Sequence, residues 1–168
     1  MIIYVDSCRN IESPMLKGFF EGWPDPPSPE THLEILRNSD YIIVAVDDEN
    51  KKVAGFITAH TDHVLSAYIP LLEVLPAYRH RGIGSNLMNQ MKEKLQSFYM
   101  VDLICDEENV AFYQKLGMKK MSAMSWRNYS NQNGKGDLYA RLQRNCQART
   151  STGRSISQDE KASPADEE

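Results

Sequence analysis

Residues 78–95 read YRHRGIGSNLMNQMKEKL, and this stretch decides the fold. Gly82 and Gly84 follow an apolar, strand-like run and open an amphipathic helix. Glycines at these positions leave the first backbone N–H groups of the helix accessible, and a helix start carries partial positive charge. Phosphate binds at such helix starts, and the neighbouring Arg79 and Arg81 would add charge-assisted contacts. The stretch therefore predicts a strand–turn–helix unit that binds a pyrophosphate-bearing ligand.

The residues on both sides of this unit predict an α+β fold with a mixed sheet. Apolar and β-branched runs predict strands at 2–6, 41–46, 53–60, 67–75 and 101–105, followed by two short strands at 119–121 and 123–128. Helices are expected at 11–20, from Ser28, from Ser85, and at 109–116 with Gly117 as the cap. Because a strand–helix–strand unit joins parallel neighbours, we expect a mostly antiparallel central sheet with one parallel strand pair, flanked by helices.

Composition restricts the class of protein. The chain has 168 residues, 41% of them hydrophobic, and a formal net charge of −4, which suits one domain and not a nucleic-acid binder. Its three cysteines lack CxxC spacing, no run approaches the roughly 20 apolar residues that cross a bilayer, and no signal peptide is visible. We expect a cytoplasmic protein that holds no metal and binds neither nucleic acid nor a membrane.

The composition changes near residue 130. The stretch beyond it is poor in large apolar residues and rich in Ser, Gln, Arg and acidic residues. Such a segment buries too little surface to offset the entropy lost on ordering. The sequence therefore predicts a domain at 1–130 and a disordered tail at 131–168.

Three short motifs follow one another along the chain. Residues 72–76 read LEVLP, residues 79–84 read RHRGIG, and residues 112–118 read FYQKLGM. Their order and separation resemble the GNAT superfamily of acyl-CoA-dependent N-acyltransferases, with its L-x-V-x-P strand, its R/Q-x-x-G-x-G/A turn and its F/L-Y-x-x-x-G-F/M element. The resemblance covers roughly residues 1–130.

This resemblance implies a GNAT-like fold and an N-acetyltransferase. Acetyl-CoA would be the cosubstrate, and a primary amine on a small molecule or peptide would attack it directly in a ternary complex. Homodimers are common in such proteins, so a homodimer stays open. A non-catalytic module of the same fold that binds or senses acyl-CoA is the alternative.

The resemblance also implies which residues bind the cosubstrate. The backbone of the first motif would pair with the pantetheine arm, and the turn would hold the pyrophosphate, with Ser85 adding an N-cap-like oxygen. The family usually has Asn seven residues before the motif tyrosine and Ala four before it, where this chain has Asp106 and Asn109, so either residue is a candidate for the pantetheine contact. The expected set is Leu72, Val74, Arg79, His80, Arg81, Gly82, Ile83, Gly84, Ser85 and Asn109.

Two residues are candidates for proton transfer. Tyr113 resembles the family's general acid, and a phenol with a pKa of about 10 is protonated at neutral pH; a core aromatic is the alternative. Glu73 is the candidate general base, although strand alternation directs its side chain away from the face of Leu72 and Val74. A solvated or structurally paired carboxylate is the alternative for Glu73, and Tyr68, Glu21, His60 and Asp106 stay open as bases.

The loop GFFEGWPD at 18–25 would shape the acceptor pocket, by the same resemblance. Glu21 and Trp23 would bind a cationic or apolar amine. For Phe19 and Phe20, a hydrophobic plug between two helices and the sheet is an equally good interpretation as a place in the acceptor pocket.

Overall fold

The computed structural model describes residues 1–135, and Met1–Gly134 form one compact unit. The expected tail from residue 136 onward lies outside the described residues. The strands are β1 Ile2–Val5, β2 Tyr41–Asp47, β3 Lys52–Thr61, β4 Ser66–Val74 and β5 Met100–Leu103. The α-helices are α1 Pro29–Arg37, α2 Ile83–Lys94 and α3 Val110–Lys115. Short 3-10 turns lie at Ser13–Leu16, Pro76–Tyr78, Glu107–Asn109 and Tyr129–Asn131.

The five strands form one mixed sheet in the order β1-β2-β3-β4-β5. The first three pairings are antiparallel, and β4 and β5 are parallel. The chain between β4 and β5 contains α2, as a parallel connection requires. The predicted mixed sheet with one parallel pair is confirmed.

Apolar side chains on both faces of the sheet hold the helices in place. On one face, Phe56 packs in a cluster with Leu36 of α1 and with Leu16 and Phe19 from the preceding segment. On the other face, a second cluster contains Ile43 and Ile57 of the sheet and the α2 residues Leu87, Met88 and Met91, all at most 1% exposed. Burying a side chain of this size stabilises the fold by about 1.5–3 kcal/mol. The sheet is therefore the middle layer of three.

Helix α1 begins as the sequence predicts. The hydroxyl oxygen of Ser28 accepts the backbone N–H of Thr31 at 3.2 Å, and Pro29 occupies the first helical position. Helix α2, in contrast, begins at Ile83 and not at Ser85, because Gly82 is its N-cap. Gly82 has φ = +77°, a conformation that only glycine adopts readily. Ser85 therefore lies inside the helix, and its expected N-cap-like role is wrong.

Two further predictions of secondary structure are wrong. The expected helix at 11–20 is reduced to the 3-10 turn Ser13–Leu16, since the chain enters left-handed conformations at Gly18 and Phe20. The two strands expected at 119–121 and 123–128 do not form, and these residues lie exposed without a strand partner in the described chain. None of the described helices is long and apolar enough to span a membrane.

Candidate active site

Strand β5 is shorter than β4 and pairs with only the first part of it. Thr58 of β3 pairs with Leu71 of β4, and His60 pairs with Tyr68. Between these two pairs β3 has one residue and β4 has two, so β4 contains a bulge. Pro70 lies in this bulge, and it has no N–H to donate to a neighbouring strand. Pairing with β5 covers only Ser66–Ile69. The remainder of β4, up to Val74, therefore has no partner on its β5 side within the described chain.

The start of α2 lies at the end of this unpaired strand segment. No side-chain hydrogen bond caps the helix at Gly82, and its first helical bond runs from the N–H of Asn86 to the Gly82 carbonyl at 3.0 Å. The N–H groups of the first turn therefore have no side-chain cap. A Cβ placed on Gly82 would meet no atom within 4 Å, so the space in front of the turn is open. This geometry suits an anionic group approaching the helix start.

Gly84 brings the three sequence motifs together. A Cβ at this position would lie 3.7 Å from Cγ2 of Val74 on β4 and 3.6 Å from Cζ of Phe112 on α3. The strand motif, the glycine turn and the Phe-Tyr element therefore meet around one helix start.

The two arginines of the turn make contacts of their own. Arg79 donates through Nε to the carbonyl oxygen of Val74 at 3.1 Å and through a terminal nitrogen to the Glu21 carboxylate at 2.6 Å. Arg81 lies over the ring of Tyr78, with its guanidinium carbon 5.5 Å from the ring centre. Both side chains are held beside the turn by groups that leave other guanidinium N–H groups available.

The Glu73 carboxylate holds the backbone of the loop at 18–25. Its two oxygens accept the N–H of Phe20 at 3.0 and 2.8 Å, and one of them lies 3.4 Å from the N–H of Glu21. Partial burial raises the pKa of Glu73, against the lowering effect of these N–H donors. Leu72 and Val74, meanwhile, pack toward α2. Glu73 therefore lies beneath the candidate acceptor loop and not on the α2 side of β4.

The loop itself presents one aromatic ring. Trp23 is 40% exposed and contacts the buried ring of Phe20 edge-on, with 5.2 Å between centroids. Phe20 has φ = +63°, which is unfavourable for a residue with a Cβ, and its N–H bonds to Glu73 retain it there. Glu21 is exposed but paired with Arg79. The loop is thus connected both to β4 and to the glycine turn.

Tyr113 lies on α3, beside the residues that pack against α2. Its ring contacts Phe112 edge-on at 4.9 Å, and burial raises its pKa to about 12, with a smaller contribution from Cys105. The half-buried phenol therefore keeps its proton at neutral pH, although the raised pKa also makes it a weaker acid than a free tyrosine.

The segment after β5 places the two candidates for the pantetheine contact. Asp106 precedes the 3-10 turn Glu107–Asn109, and its carbonyl accepts the N–H of Asn109 at 2.9 Å. Asn109 then occupies the N-cap position of α3. Both residues therefore lie between the end of β5 and the helix that carries Tyr113.

Sequence reasoning missed three features of this site. The β4 bulge had a signal, because a proline inside a strand marks an edge or a bulge. The Glu73–Phe20 and Arg79–Glu21 contacts had none, since each joins residues more than 50 positions apart. The buried ring of His32, packed against Phe20 with 4.9 Å between centroids, also gave no pattern that distinguishes it from a surface histidine.

These residues fit the acyl-CoA that the motifs imply. The helix start without a side-chain cap offers N–H donors and positive charge to a diphosphate. The β4 segment beyond Pro70, without a β5 partner, offers backbone groups along which an extended amide-containing arm would lie as an added strand. Phe112, the neighbour of Tyr113 on α3, lies against the same helix start.

Comparison with known proteins agrees with this geometry. The family model described as the acetyltransferase (GNAT) family matches residues 6–118. An acetyltransferase-like protein of Deinococcus radiodurans R1 superposes with a TM-score of 0.76 at 42% identity, over 79% of this chain and 92% of that one. A GNAT family acetyltransferase from Streptococcus pneumoniae TIGR4 gives a TM-score of 0.62 at 28% identity, over 76% and 98% of the two chains.

Sequence comparison alone finds the same class. The uncharacterized N-acetyltransferase ycf52 of Pyropia yezoensis is 29% identical in an alignment of 124 positions that covers 70% of this chain and 71% of the relative. Proteins of this family generally take their acyl group from acetyl-CoA. The family model matches two thirds of the chain, and the motif residues meet at one helix start. The chain therefore belongs to the acetyltransferase (GNAT) family and is an acyltransferase.

Proposed function

We propose that the protein transfers an acetyl group from acetyl-CoA to a primary amine by direct attack within a ternary complex. The observation that carries this proposal is the β4 segment beyond Pro70, which has no β5 partner and ends beside the start of α2, where no side chain caps the helix. The two features supply the strand edge and the anion site that an acyl-CoA needs.

The donor would be held mainly by backbone groups. Leu72 and Val74 would offer their main-chain groups to the pantetheine arm, and Asn109 or Asp106 would contact the same arm from the start of α3. The diphosphate would accept N–H donors from the turn formed by His80, Gly82, Ile83, Gly84 and Ser85. Arg79 and Arg81 would add charge-assisted hydrogen bonds.

In the chemical step the leaving thiolate must gain a proton and the attacking amine must lose one. The amine nitrogen forms a bond to the thioester carbonyl carbon, and the bond from that carbon to sulfur breaks. A backbone N–H of β4 facing the carbonyl oxygen would lower the barrier by about 3 kcal/mol, as oxyanion-hole donors do. Tyr113 would give its phenolic proton to the departing thiolate, and solvent would return a proton to the phenolate. Its pKa of about 12 keeps the phenol protonated at neutral pH but makes it a weaker acid than a free tyrosine, so the transfer would need a direct hydrogen bond to the leaving sulfur.

Glu73 would accept the proton that the amine loses. Burial raises the pKa of its carboxyl group, which makes the carboxylate a better base than an exposed one. Its position beneath Phe20 and Glu21 also places it against the loop that would bind the amine. The same group would thus remove a proton and hold the acceptor loop.

The acceptor would bind against the loop at 18–25. Trp23 offers an exposed ring face to an apolar or cationic group, and Glu21 offers a carboxylate to an ammonium ion. An amine that pairs with Glu21 would compete with Arg79 for the same oxygen.

A panel of primary amines tests the proposal. The purified full chain is incubated with acetyl-CoA and each amine, free thiol is followed with a thiol reagent, and acetylated products are identified by mass spectrometry. We expect thiol release to depend on the amine and to match product formation. Binding of coenzyme A without release across small-molecule and peptide amines would instead support the sensing module, and no calorimetric response to millimolar coenzyme A would refute both.

A further inference from the structure

Asp47, the last residue of β2, is a nearly buried carboxylate that no step of the proposed reaction uses. It is 7% exposed. Its Oδ1 accepts the backbone N–H groups of Glu49 at 3.2 Å and Asn50 at 3.4 Å, and its Oδ2 accepts the side-chain amide of Asn50 at 2.7 Å. The amino group of Met1 lies 3.9 Å from Oδ1. Contacts within the β2–β3 hairpin therefore fix the orientation of this carboxylate.

A tyrosine directly before the glycine turn reaches the same carboxylate. The hydroxyl group of Tyr78 donates to Oδ2 of Asp47 at 2.8 Å, although the two residues are 31 positions apart. Hydrogen bonds from Asn50 and from Tyr78 lower the pKa of Asp47 to about 2, so the group is ionised at neutral pH. An ionised carboxylate only accepts hydrogen bonds, so the phenol donates and its ring is held in one orientation.

The turn after Tyr78 has an irregular backbone. His80 and Gly82 have φ of +61° and +77°, and a left-handed conformation is uncommon for a residue with a Cβ. Tyr78 packs against both apolar clusters at one end of the turn, and Ile83 is buried at the other end. These two residues therefore anchor the turn to the body of the domain.

The ring of Tyr78 also lies beneath Arg81. The guanidinium carbon is 5.5 Å from the ring centre, within the range at which an aromatic face attracts a cation. Arg79 has a carboxylate partner in Glu21, but no carboxylate of the described residues pairs with Arg81. Gly82 follows directly as the N-cap of α2. The contact with Tyr78 therefore holds a cation beside the helix start.

We propose that Asp47 is a positioning residue for the diphosphate of the donor. It would fix the ring of Tyr78, and this ring would hold the Arg81 guanidinium ready for an anion at the start of α2. The guanidinium would then lose little conformational freedom when it binds. This inference rests on the proposed function, because it assumes that the diphosphate of acetyl-CoA binds at the glycine turn. It adds to that function a residue of the β2–β3 hairpin that touches neither substrate.

Coenzyme A affinities of single and double variants test this connection. Tyr78→Phe keeps the ring and removes the hydroxyl donor, and Asp47→Ala removes the acceptor. We expect each variant to raise the Kd for coenzyme A about fivefold in calorimetry, as for a long side chain that has lost its preorganisation. The two changes together should raise it no further, because both remove the same hydrogen bond. Tyr41→Phe, at another half-buried tyrosine, is the matched control and should bind like the wild type.

A second substitution shows whether the effect passes through Arg81. In Arg81→Gln, which should itself weaken binding roughly tenfold, adding Tyr78→Phe should have no further effect. In Arg79→Gln, adding Tyr78→Phe should still raise the Kd about fivefold. A variant that only loosened the fold would weaken binding equally in both backgrounds. The order parameter of the Arg81 Nε–H bond, measured by NMR relaxation without any ligand, should also fall in Tyr78→Phe.

The outcomes separate this inference from the proposed function. If the wild type binds coenzyme A, an unchanged Kd in Tyr78→Phe, or an equal loss in the Arg81→Gln and Arg79→Gln backgrounds, would overturn the positioning role and leave the donor site intact. No binding by the wild type would refute the donor site and this inference with it. Circular dichroism verifies the fold of each variant, and Tyr78→Phe decides alone if Asp47→Ala does not fold.

Discussion

The carboxylate of Glu73 accepts the backbone N–H of Phe20 through both oxygens, at 2.8 and 3.0 Å. This contact joins β4, which would hold the donor, to the loop that would hold the acceptor. It also retains Phe20 in a left-handed conformation that the residue does not favour by itself. Glu73, together with the Arg79–Glu21 pair, therefore sets the relative position of the two proposed substrate sites.

Substitution of Glu73 separates its structural contribution from its chemical one. Glu73→Ala leaves the N–H of Phe20 without its partner, and we expect about 1–3 kcal/mol of lost stability, measured by urea unfolding. Glu73→Gln keeps one acceptor oxygen and removes the base, so it should unfold near the wild-type midpoint while turnover falls about a hundredfold. Equal turnover in the Gln variant and the wild type would leave Glu73 with only its loop contact.

Removal of the Tyr113 hydroxyl tests the proton donor. Tyr113→Phe should lower kcat by about a hundredfold and leave the Kd for acetyl-CoA nearly unchanged, because only the proton needed by the thiolate is lost. With a pKa of about 12, Tyr113 should also produce no alkaline decline of kcat below about pH 10. Tyr99→Phe, at an exposed tyrosine, is the control and should match the wild type.

Gly82 and Gly84 should respond differently to alanine. At Gly84 a Cβ makes only ordinary contacts at 3.6 and 3.7 Å, and the family's motif itself allows alanine there, so Gly84→Ala should keep both the melting temperature and the affinity for coenzyme A. Gly82 has φ = +77°, where a Cβ costs about 1–2 kcal/mol, so Gly82→Ala should lower the melting temperature and distort the turn that would bind the diphosphate. Isothermal titration calorimetry with coenzyme A compares the two variants, and unchanged affinity in Gly82→Ala would place the diphosphate elsewhere.

Buried His32 should make stability depend on pH. Desolvation lowers the pKa of its ring to about 4, from about 6.5 when unfolded. Between these values the unfolded chain binds a proton that the native chain does not, so stability is complete above pH 6.5 and falls by roughly 3 kcal/mol toward pH 4. His32→Leu should flatten this part of the profile in urea unfolding at several pH values; a slope identical to the wild type would assign the acid sensitivity to other groups.

Loss of the Arg79 guanidinium should weaken coenzyme A binding and leave the free energy of unfolding nearly unchanged. Both side chains are about half exposed, and exposed pairs contribute at most about 1 kcal/mol. Arg79→Gln should therefore unfold close to the wild type but bind coenzyme A roughly tenfold more weakly, as expected for one lost charge-assisted contact. The control Arg37→Gln, in the last turn of α1, should leave the affinity unchanged.

The sequence was sufficient wherever the determinant is local. Apolar spacing predicted α2, the Ser28 cap predicted the start of α1, and the three motifs predicted the family. The sequence was insufficient where contacts between residues far apart in the chain determine the backbone conformation. The helix expected at 11–20 ends at Leu16, ahead of the left-handed Gly18, and no local pattern contains the contact that Phe20 then makes with Glu73.

Residues 119–128 show the opposite limitation. Their composition predicts strands, yet a strand needs a neighbour to accept its hydrogen bonds, and the described chain supplies none. Packing does not reveal the roles of Tyr113 and Glu73, because both residues would make the same contacts if they were purely structural.

The kinetics of the substituted proteins distinguish a catalytic role from a structural one.

Pro70 and the short β5 leave the edge of β4 open in the folded chain. Proline has no N–H to donate, and all four residues of β5 already pair with 66–69, so no strand of the described residues covers this side of 71–74. A donor would therefore displace no strand when it binds. Stopped-flow mixing with coenzyme A should accordingly show one concentration-dependent phase, without a slower rearrangement behind it.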